Sequence, residues 1–168
     1  MEHPFTLAWR YVVGVLAVED VPMAAAQLLV AGWDSPALCD LAGRSRREDA
    51  DQVRGLFMET MDELRVSVPD EEAAERCLLH HVAARIAEGS LTAAAAACQI
   101  WHQTSARTEL ERGFADAIGV EYYFEYVTAK RPETLRAWEE AARSAAERLA
   151  DAPRSEDPFP AGALPTDQ

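Results

Sequence analysis

Two cysteine–histidine pairs have the residue types and spacing of a possible metal site. Cys77 and His81 are four positions apart, as are Cys98 and His102, and residues four apart lie one above the other on a helix. A tight connection at Gly89-Ser90 would fold the two helices into an antiparallel hairpin. Thiolate and imidazole groups from facing helices are ligands that tetrahedral zinc accepts. This hairpin is therefore a candidate for binding a metal or a small ligand.

The same four residues also fit a purely structural role. The apolar stripe that begins at Leu78 leaves Cys77 and His81 to one side, whereas Cys98 lies on the core face of the second helix. Two small core cysteines and two boundary histidines would explain the pattern without a ligand. We therefore predict no bound metal and no cofactor, with the metal- or ligand-binding hairpin as the alternative.

An aromatic segment interleaved with acids is the candidate protein-binding surface. Tyr122, Tyr123 and Tyr126 stand among Glu121 and Glu125, and consecutive aromatic side chains of one helix cannot all face the core. An exposed tyrosine offers a large contact area at a small cost in rotamer entropy. These five residues are predicted to bind a partner. The alternative is that the rings pack inward with their hydroxyls at the surface.

Acidic residues concentrate between Glu59 and Glu75. This segment holds seven acids against Arg65 alone, a net charge of −6. Such a surface would raise the rate of association with a basic partner. The alternative is a solvated helix face together with acids at a helix N-terminus, where the helix dipole favours them.

No motif assigns a catalytic residue. The sequence has neither a glycine-rich phosphate loop nor a G-x-S-x-G nucleophile motif. Ser35 precedes Pro36 and matches a helix N-cap followed by a proline in the first turn. The sequence therefore favours a protein that is not an enzyme.

Length and composition favour one domain and exclude several classes of partner. The chain has 168 residues, 49% of them hydrophobic, and a net charge of −13. Nucleic-acid phosphates need a basic surface, so we predict no nucleic acid partner. No apolar run reaches the ~20 residues of a membrane span, and no signal-peptide pattern is present. Three cysteines, an odd number, fit a reducing cytoplasm. The oligomeric state stays open.

Helical periodicity recurs along the chain, and alternating strand patterns are missing. The predicted helices include 5–18, 37–42, 49–64, 71–88, 91–102 and 132–150. The predicted N-caps are Ser35 and Ser90, and Thr108 and Glu111 are predicted to form a capping box. The predicted helix stops are Gly43, Gly89 and Gly119.

The predicted fold is all-α, a compact bundle of about seven helices in short-looped antiparallel pairs. Residues 1–152 are predicted to form a single domain. Residues 153–168 hold four of the nine prolines and little apolar surface to bury, so we predict a disordered tail there.

The stretch from Gly32 to Gly43 (GWDSPALCDLAG) resembles a segment of small, functionally uncharacterised proteins of high-GC actinobacteria. The segment from Ile86 to Ser90, followed by Ile100-Trp101, is similar to the same group. The shared positions are helix caps and core residues, and the resemblance extends over residues 5–150. It implies an all-helical fold and no catalytic residue. The small, acidic, helical character is also similar in type to that of bacterial toxin-immunity proteins.

Together these features favour a protein whose function is to bind another protein. The specific hypothesis is an immunity- or antitoxin-like inhibitor that occludes a basic partner such as a nuclease. Acids would steer the partner, and Tyr122, Tyr123 and Tyr126 would anchor it.

Overall fold

A computed structural model of the protein describes residues 3–100, 105–119 and 132–152. These residues form eight α-helices and one 3-10 helix, and none of them belongs to a β-strand. The all-α prediction is confirmed over this part of the chain. Contacts divide the chain into two units, whose described parts are residues 3–74 for the first and residues 75–100, 105–119 and 132–152 for the second. The predicted single domain stays a prediction, and the predicted tail lies outside the described residues.

From α1 to α6 the described helices follow one another through connections of seven residues or fewer. The first unit contains α1 (Pro4–Val12), a 3-10 helix (Val18–Asp20), α2 (Val21–Val30), α3 (Pro36–Ala42), α4 (Ala50–Glu63) and the start of α5 (Glu71–Ala87). The second unit contains the rest of α5, α6 (Ala93–Gln99), α7 (Glu109–Ile118) and the last helix, α8 (Pro132–Ala150).

The core of the first unit is apolar and closely packed. α2, α3 and α4 pack on one another, and the rings of Tyr11 and Phe57 lie with their centroids 4.4 Å apart. Burying one large apolar side chain stabilises a fold by about 1.5–3 kcal/mol. The fully buried members of this core include Leu7, Val21, Leu28, Leu38, Leu41, Phe57 and Met61.

Side-chain caps determine where several helices begin. Ser35 Oγ accepts a hydrogen bond from the backbone N–H of Leu38 at 3.2 Å, and Thr108 and Glu111 form a capping box at the start of α7. Both predicted caps are confirmed. Each side-chain oxygen satisfies a backbone N–H that has no partner within the helix itself, which stabilises the first turn.

The prediction that the first helix continues to Val18 is wrong. α1 ends at Val12, because Gly14 adopts φ +71°, a left-handed conformation that does not continue a right-handed helix. The apolar character continues past Gly14, but Val15 is 49% exposed while Leu16 is buried. The helical pattern of the sequence therefore continues into a loop, in which only Leu16 is buried in the core.

One further boundary prediction is wrong. Thr92, not Ser90, caps α6 by accepting a hydrogen bond from the N–H of Ala95, and Ser90 Oγ instead donates to the carbonyl of Arg85. α3 ends at Ala42, directly before Gly43, as predicted, although Gly43 takes φ −79° rather than the left-handed conformation common for a glycine after a helix. Gly89 adopts the left-handed conformation, with φ +76°, and α5 stops before it as predicted.

The core of the second unit is built on the packing of α7 against α8. Phe114 and Ile118 of α7 are buried, as are Trp138 and Leu149 of α8. The indole N–H of Trp138 donates to the carbonyl of Ala117 at 2.9 Å. This bond satisfies the one polar atom of a buried ring and fixes α8 against the end of α7.

Candidate functional site

The structure places the residues of the cysteine–histidine hairpin in different environments. Cys77 is fully buried, His81 is half-buried and Cys98 is exposed. His102 lies outside the described residues. Within the described ranges, no group of three or more His, Cys, Asp or Glu side chains could hold a metal ion. The metal-binding alternative stays a prediction that depends on His102.

The aromatic segment lies in residues 120–131, outside the described part of the chain. The predicted partner-binding residues Glu121, Tyr122, Tyr123, Glu125 and Tyr126 therefore stay a prediction from the sequence.

Three acids of the predicted acidic segment bind the chain's own backbone. Glu63 Oε2 accepts from the N–H of Ala37 at 2.8 Å and so caps α3 from another helix. Asp70 Oδ1 accepts from the N–H of Ala73 at 2.8 Å at the start of α5. In the second unit, Glu75 Oε2 accepts hydrogen bonds from the backbone N–H and the hydroxyl of Ser105. For Glu63 and Asp70 the helix-terminus interpretation describes the local role well, whereas Glu75 holds the non-helical segment that precedes α7.

Other acids stay on the surface of α4, beside an exposed methionine. Asp51, Glu59 and Asp62 are exposed, and Met58 is 43% exposed. Their offsets of 0, 7, 8 and 11 positions put the four residues on one side of the helix. We call this set the α4 acidic face. It combines negative charge with one apolar side chain.

The α4 acidic face has one basic neighbour and one glycine. Arg54 lies one turn before Met58, and its contacts with Tyr11 and with Asp51 raise the pKa of its guanidinium. Gly55 lies between the acids, and a Cβ added there would meet no atom within 4 Å. A helix-interior glycine costs roughly 0.5–1 kcal/mol relative to alanine. No packing within the described residues requires Gly55.

The second unit contains a buried ionic cluster that the sequence analysis does not predict. Glu111 has no exposed surface, and its Oε1 lies 2.8 Å from Nε and from Nη2 of Arg76 and 2.8 Å from Nε2 of His80. Its Oε2 accepts from the backbone N–H groups of Arg107 at 2.7 Å and Thr108 at 2.9 Å. The carboxylate thus joins two side chains of α5 to the start of α7.

The donors around Glu111 outweigh the cost of burying its charge. Burial alone would raise the pKa of this carboxyl, but hydrogen bonds from Arg76, from the backbone of Thr108, from His80 and from the backbone of Arg107 lower it to about 2. A carboxylate that accepts several hydrogen bonds stays ionised well below the usual range. Both of its oxygens are engaged and neither is exposed, so the arrangement is structural.

One sequence signal could have pointed to this cluster. Arg76 and His80 stand at i and i+4 on α5, whose residues Leu79, Val82 and Ala83 are fully buried. Two basic side chains on one face of a largely buried helix need an acidic partner. The sequence alone did not show that Glu111, 35 positions after Arg76, supplies it.

No family model, no curated protein and no solved structure matches the chain. No helix in the described ranges combines the length and the apolar character needed to cross a lipid bilayer.

Proposed function

We propose that the protein is a non-enzymatic protein-binding module whose partner is a basic protein. The observation that supports this best is the α4 acidic face, in which Asp51, Glu59 and Asp62 lie on the same side of the helix as the exposed Met58. Charge complementarity raises association rates and selects among partners. An apolar side chain within a polar patch supplies contact area that excludes water.

The acids of this face differ from those that support the fold. Glu63 and Asp70 hold backbone N–H groups of α3 and α5, so replacing them would weaken the fold as well as the surface charge. Glu59 and Asp62 are exposed on α4. Binding and stability can therefore be separated by the choice of residue.

The specific form of the proposal is an immunity- or antitoxin-like inhibitor that acts in the cytoplasm by occluding its partner. The net charge of −13 supports a partner of opposite charge, such as a nuclease with a basic nucleic-acid groove. In this proposal the acidic face steers the partner, and Tyr122, Tyr123 and Tyr126 with Glu121 and Glu125 anchor it.

The test is a pull-down from lysate of the native host with the tagged full chain, followed by affinity measurement on any basic protein recovered at near-stoichiometric yield. Glu59→Gln combined with Asp62→Asn should weaken binding about tenfold, since each interfacial charge contact contributes roughly 0.5–1 kcal/mol at an exposed site. The matched control is Glu140→Gln with Glu147→Gln, which removes the same charge from exposed positions of α8.

The two double variants distinguish a local surface from overall charge. Equal weakening by both would mean that only net charge matters, and unchanged binding in both would refute a role for the α4 acidic face. Tyr122→Ala tests the aromatic anchor separately. It should weaken binding while leaving the unfolding transition of the chain unchanged.

A further inference from the structure

A groove of about 370 Å³ opens in the first unit beside the 3-10 helix and the start of α4. Its volume falls within the ~300–1,000 Å³ range of small-ligand pockets. The groove is lined by Val18, Glu19, Ser45, Arg46, Glu48, Ala50 and Val53.

The apolar part of the lining suits an aliphatic chain. Val53 is only 2% exposed and so lies deep in the groove, and Val18 is half-buried. Ala50 adds a methyl group from the first position of α4. The hydroxyl of Ser45 accepts a hydrogen bond from the backbone N–H of Arg47, so it already has a partner.

The charged part of the lining has an excess of negative charge. Arg46 forms an ion pair with Asp20, so its charge is compensated. Among the residues that the structure describes, no basic side chain forms an ion pair with Glu19 or Glu48. Two carboxylates next to apolar surface match a ligand that carries a cation at the end of an aliphatic stem.

We propose that this groove receives an arginine or lysine side chain of the basic partner, with the stem on Val18 and Val53 and the cation between Glu19 and Glu48. That this side chain belongs to a basic protein partner rests on the proposed function, whereas the binding of such a cation by the groove does not. Ala50 and Val53 belong to α4, the helix that carries the α4 acidic face. Ala50 is the first residue of α4 and directly precedes Asp51, so a partner that covers this face together with the N-terminal end of α4 would reach the groove.

The first experiment titrates the isotope-labelled full chain with n-butylguanidinium and, as a neutral probe of the same shape, with n-butylurea. We expect n-butylguanidinium to shift amide signals of residues 18–19 and 45–53 in a saturable way, with Kd on the order of millimolar for so small a ligand. n-Butylurea should bind at least about fivefold more weakly, because charge-assisted hydrogen bonds are roughly twice as strong as neutral ones.

Carboxamide variants test the two carboxylates. Glu19→Gln with Glu48→Gln should weaken n-butylguanidinium binding by about fivefold to tenfold, the effect of two partly solvated charge contacts. Glu88→Gln, at an exposed position between α5 and α6, should bind the probe as the unaltered chain does. Far-UV circular dichroism of each variant checks that the fold is retained.

Each outcome decides the proposal. Equal binding of the two probes, absence of shifts in residues 18–19 and 45–53, or an unchanged affinity in the double variant would overturn the cation groove. Loss of the captured partner in Glu19→Gln/Glu48→Gln, but not in Glu88→Gln, supports the partner's side chain as the natural occupant. If the probe binds and no basic protein is captured, the groove chemistry stands and the proposed function fails.

Discussion

A carboxylate without exposed surface needs several donors, and Glu111 has them on both oxygens. Oε1 accepts hydrogen bonds from Arg76 and His80, and Oε2 accepts hydrogen bonds from the backbone N–H groups of Arg107 and Thr108. Removing one partner of a buried ion pair costs more than the pair itself contributes, because the remaining charged group loses a close hydrogen-bonded counter-charge. The stability of the second unit is therefore sensitive to this single residue.

Glu111→Gln tests that sensitivity. The amide keeps the shape but not the charge, so Arg76 would lie buried beside a neutral group. We expect the free energy of unfolding to fall by about 3 kcal/mol, measured by urea denaturation. Glu109→Gln, exposed in the first turn of the same helix, should cost less than about 1 kcal/mol. Similar losses in both variants would contradict a special role for Glu111.

The contribution of Glu111 depends on pH in a defined direction. Its pKa is lowered from 4.5 to about 2 in the folded chain. The folded state therefore binds this proton more weakly than the unfolded state, and the stabilisation is complete above pH 4.5 and is lost as pH falls towards 2. The stability difference between the unaltered chain and Glu111→Gln should shrink over this interval, by on the order of 3 kcal/mol. A constant difference would contradict the assignment.

His3 titrates nearer to neutral pH. Its Nδ1 accepts the N–H of Phe5 at 3.1 Å and so caps α1, and its ring stands edge-on to Trp33. Burial lowers the pKa of His3 below 6.5. The cap is therefore fully present above pH 6.5 and is lost as pH falls through the pKa of the folded state.

The matched variant for this effect is His3→Asn, because asparagine accepts the same hydrogen bond and does not titrate. We expect the melting temperature of the unaltered chain to fall relative to that of the variant between pH 7 and 5. Parallel curves over this interval would refute the role of His3 as a titrating cap.

Among the elements, the end of α4 carries a backbone conformation that its residue does not favour. Arg65 adopts φ +56°, and the N–H of Val66 reaches back to the carbonyl of Met61 at 2.9 Å. This is the hydrogen bond of a Schellman motif, whose left-handed position usually belongs to glycine. A left-handed non-glycine residue costs roughly 1 kcal/mol.

Arg65→Gly should therefore stabilise the chain by about 0.5–1 kcal/mol in thermal or urea unfolding. Gly89→Ala is the opposite case, since Gly89 has φ +76° with open space around the added Cβ. That change should destabilise the chain by about 1 kcal/mol through backbone strain alone. Arg65→Gly leaving the chain equally stable or less stable would contradict the interpretation.

Sequence reasoning located elements best where the signal was local. Ser35 and Thr108 were correctly assigned as caps, and Pro132 as a helix start, because each pattern needs only three or four neighbouring residues. The end of α1 was missed because the apolar residues after Gly14 continue a helical pattern in a loop. The cluster of Glu111 was missed because its partners lie 31 and 35 positions away.

For the whole molecule, the net charge of −13 sets how binding should respond to salt. Interactions between exposed charges are largely screened beyond a Debye length, which is about 10 Å at 0.1 M salt. We expect the association rate with the basic partner to fall at least about tenfold between 0.05 and 0.5 M NaCl, with a smaller change in the dissociation rate. Surface plasmon resonance measures both rates. A salt-independent association rate would refute electrostatic steering.

The hydrogen bonds of the two Glu111 oxygens also affect local unfolding of the second unit. The amide hydrogens of Arg107 and Thr108 precede the first turn of α7, where amides usually exchange rapidly with solvent. Here both are bound by a carboxylate that α5 holds in place. Their exchange should therefore slow to the rate at which α5 itself opens. The start of α7 and the middle of α5, separated by about thirty residues of chain, become one cooperative unit.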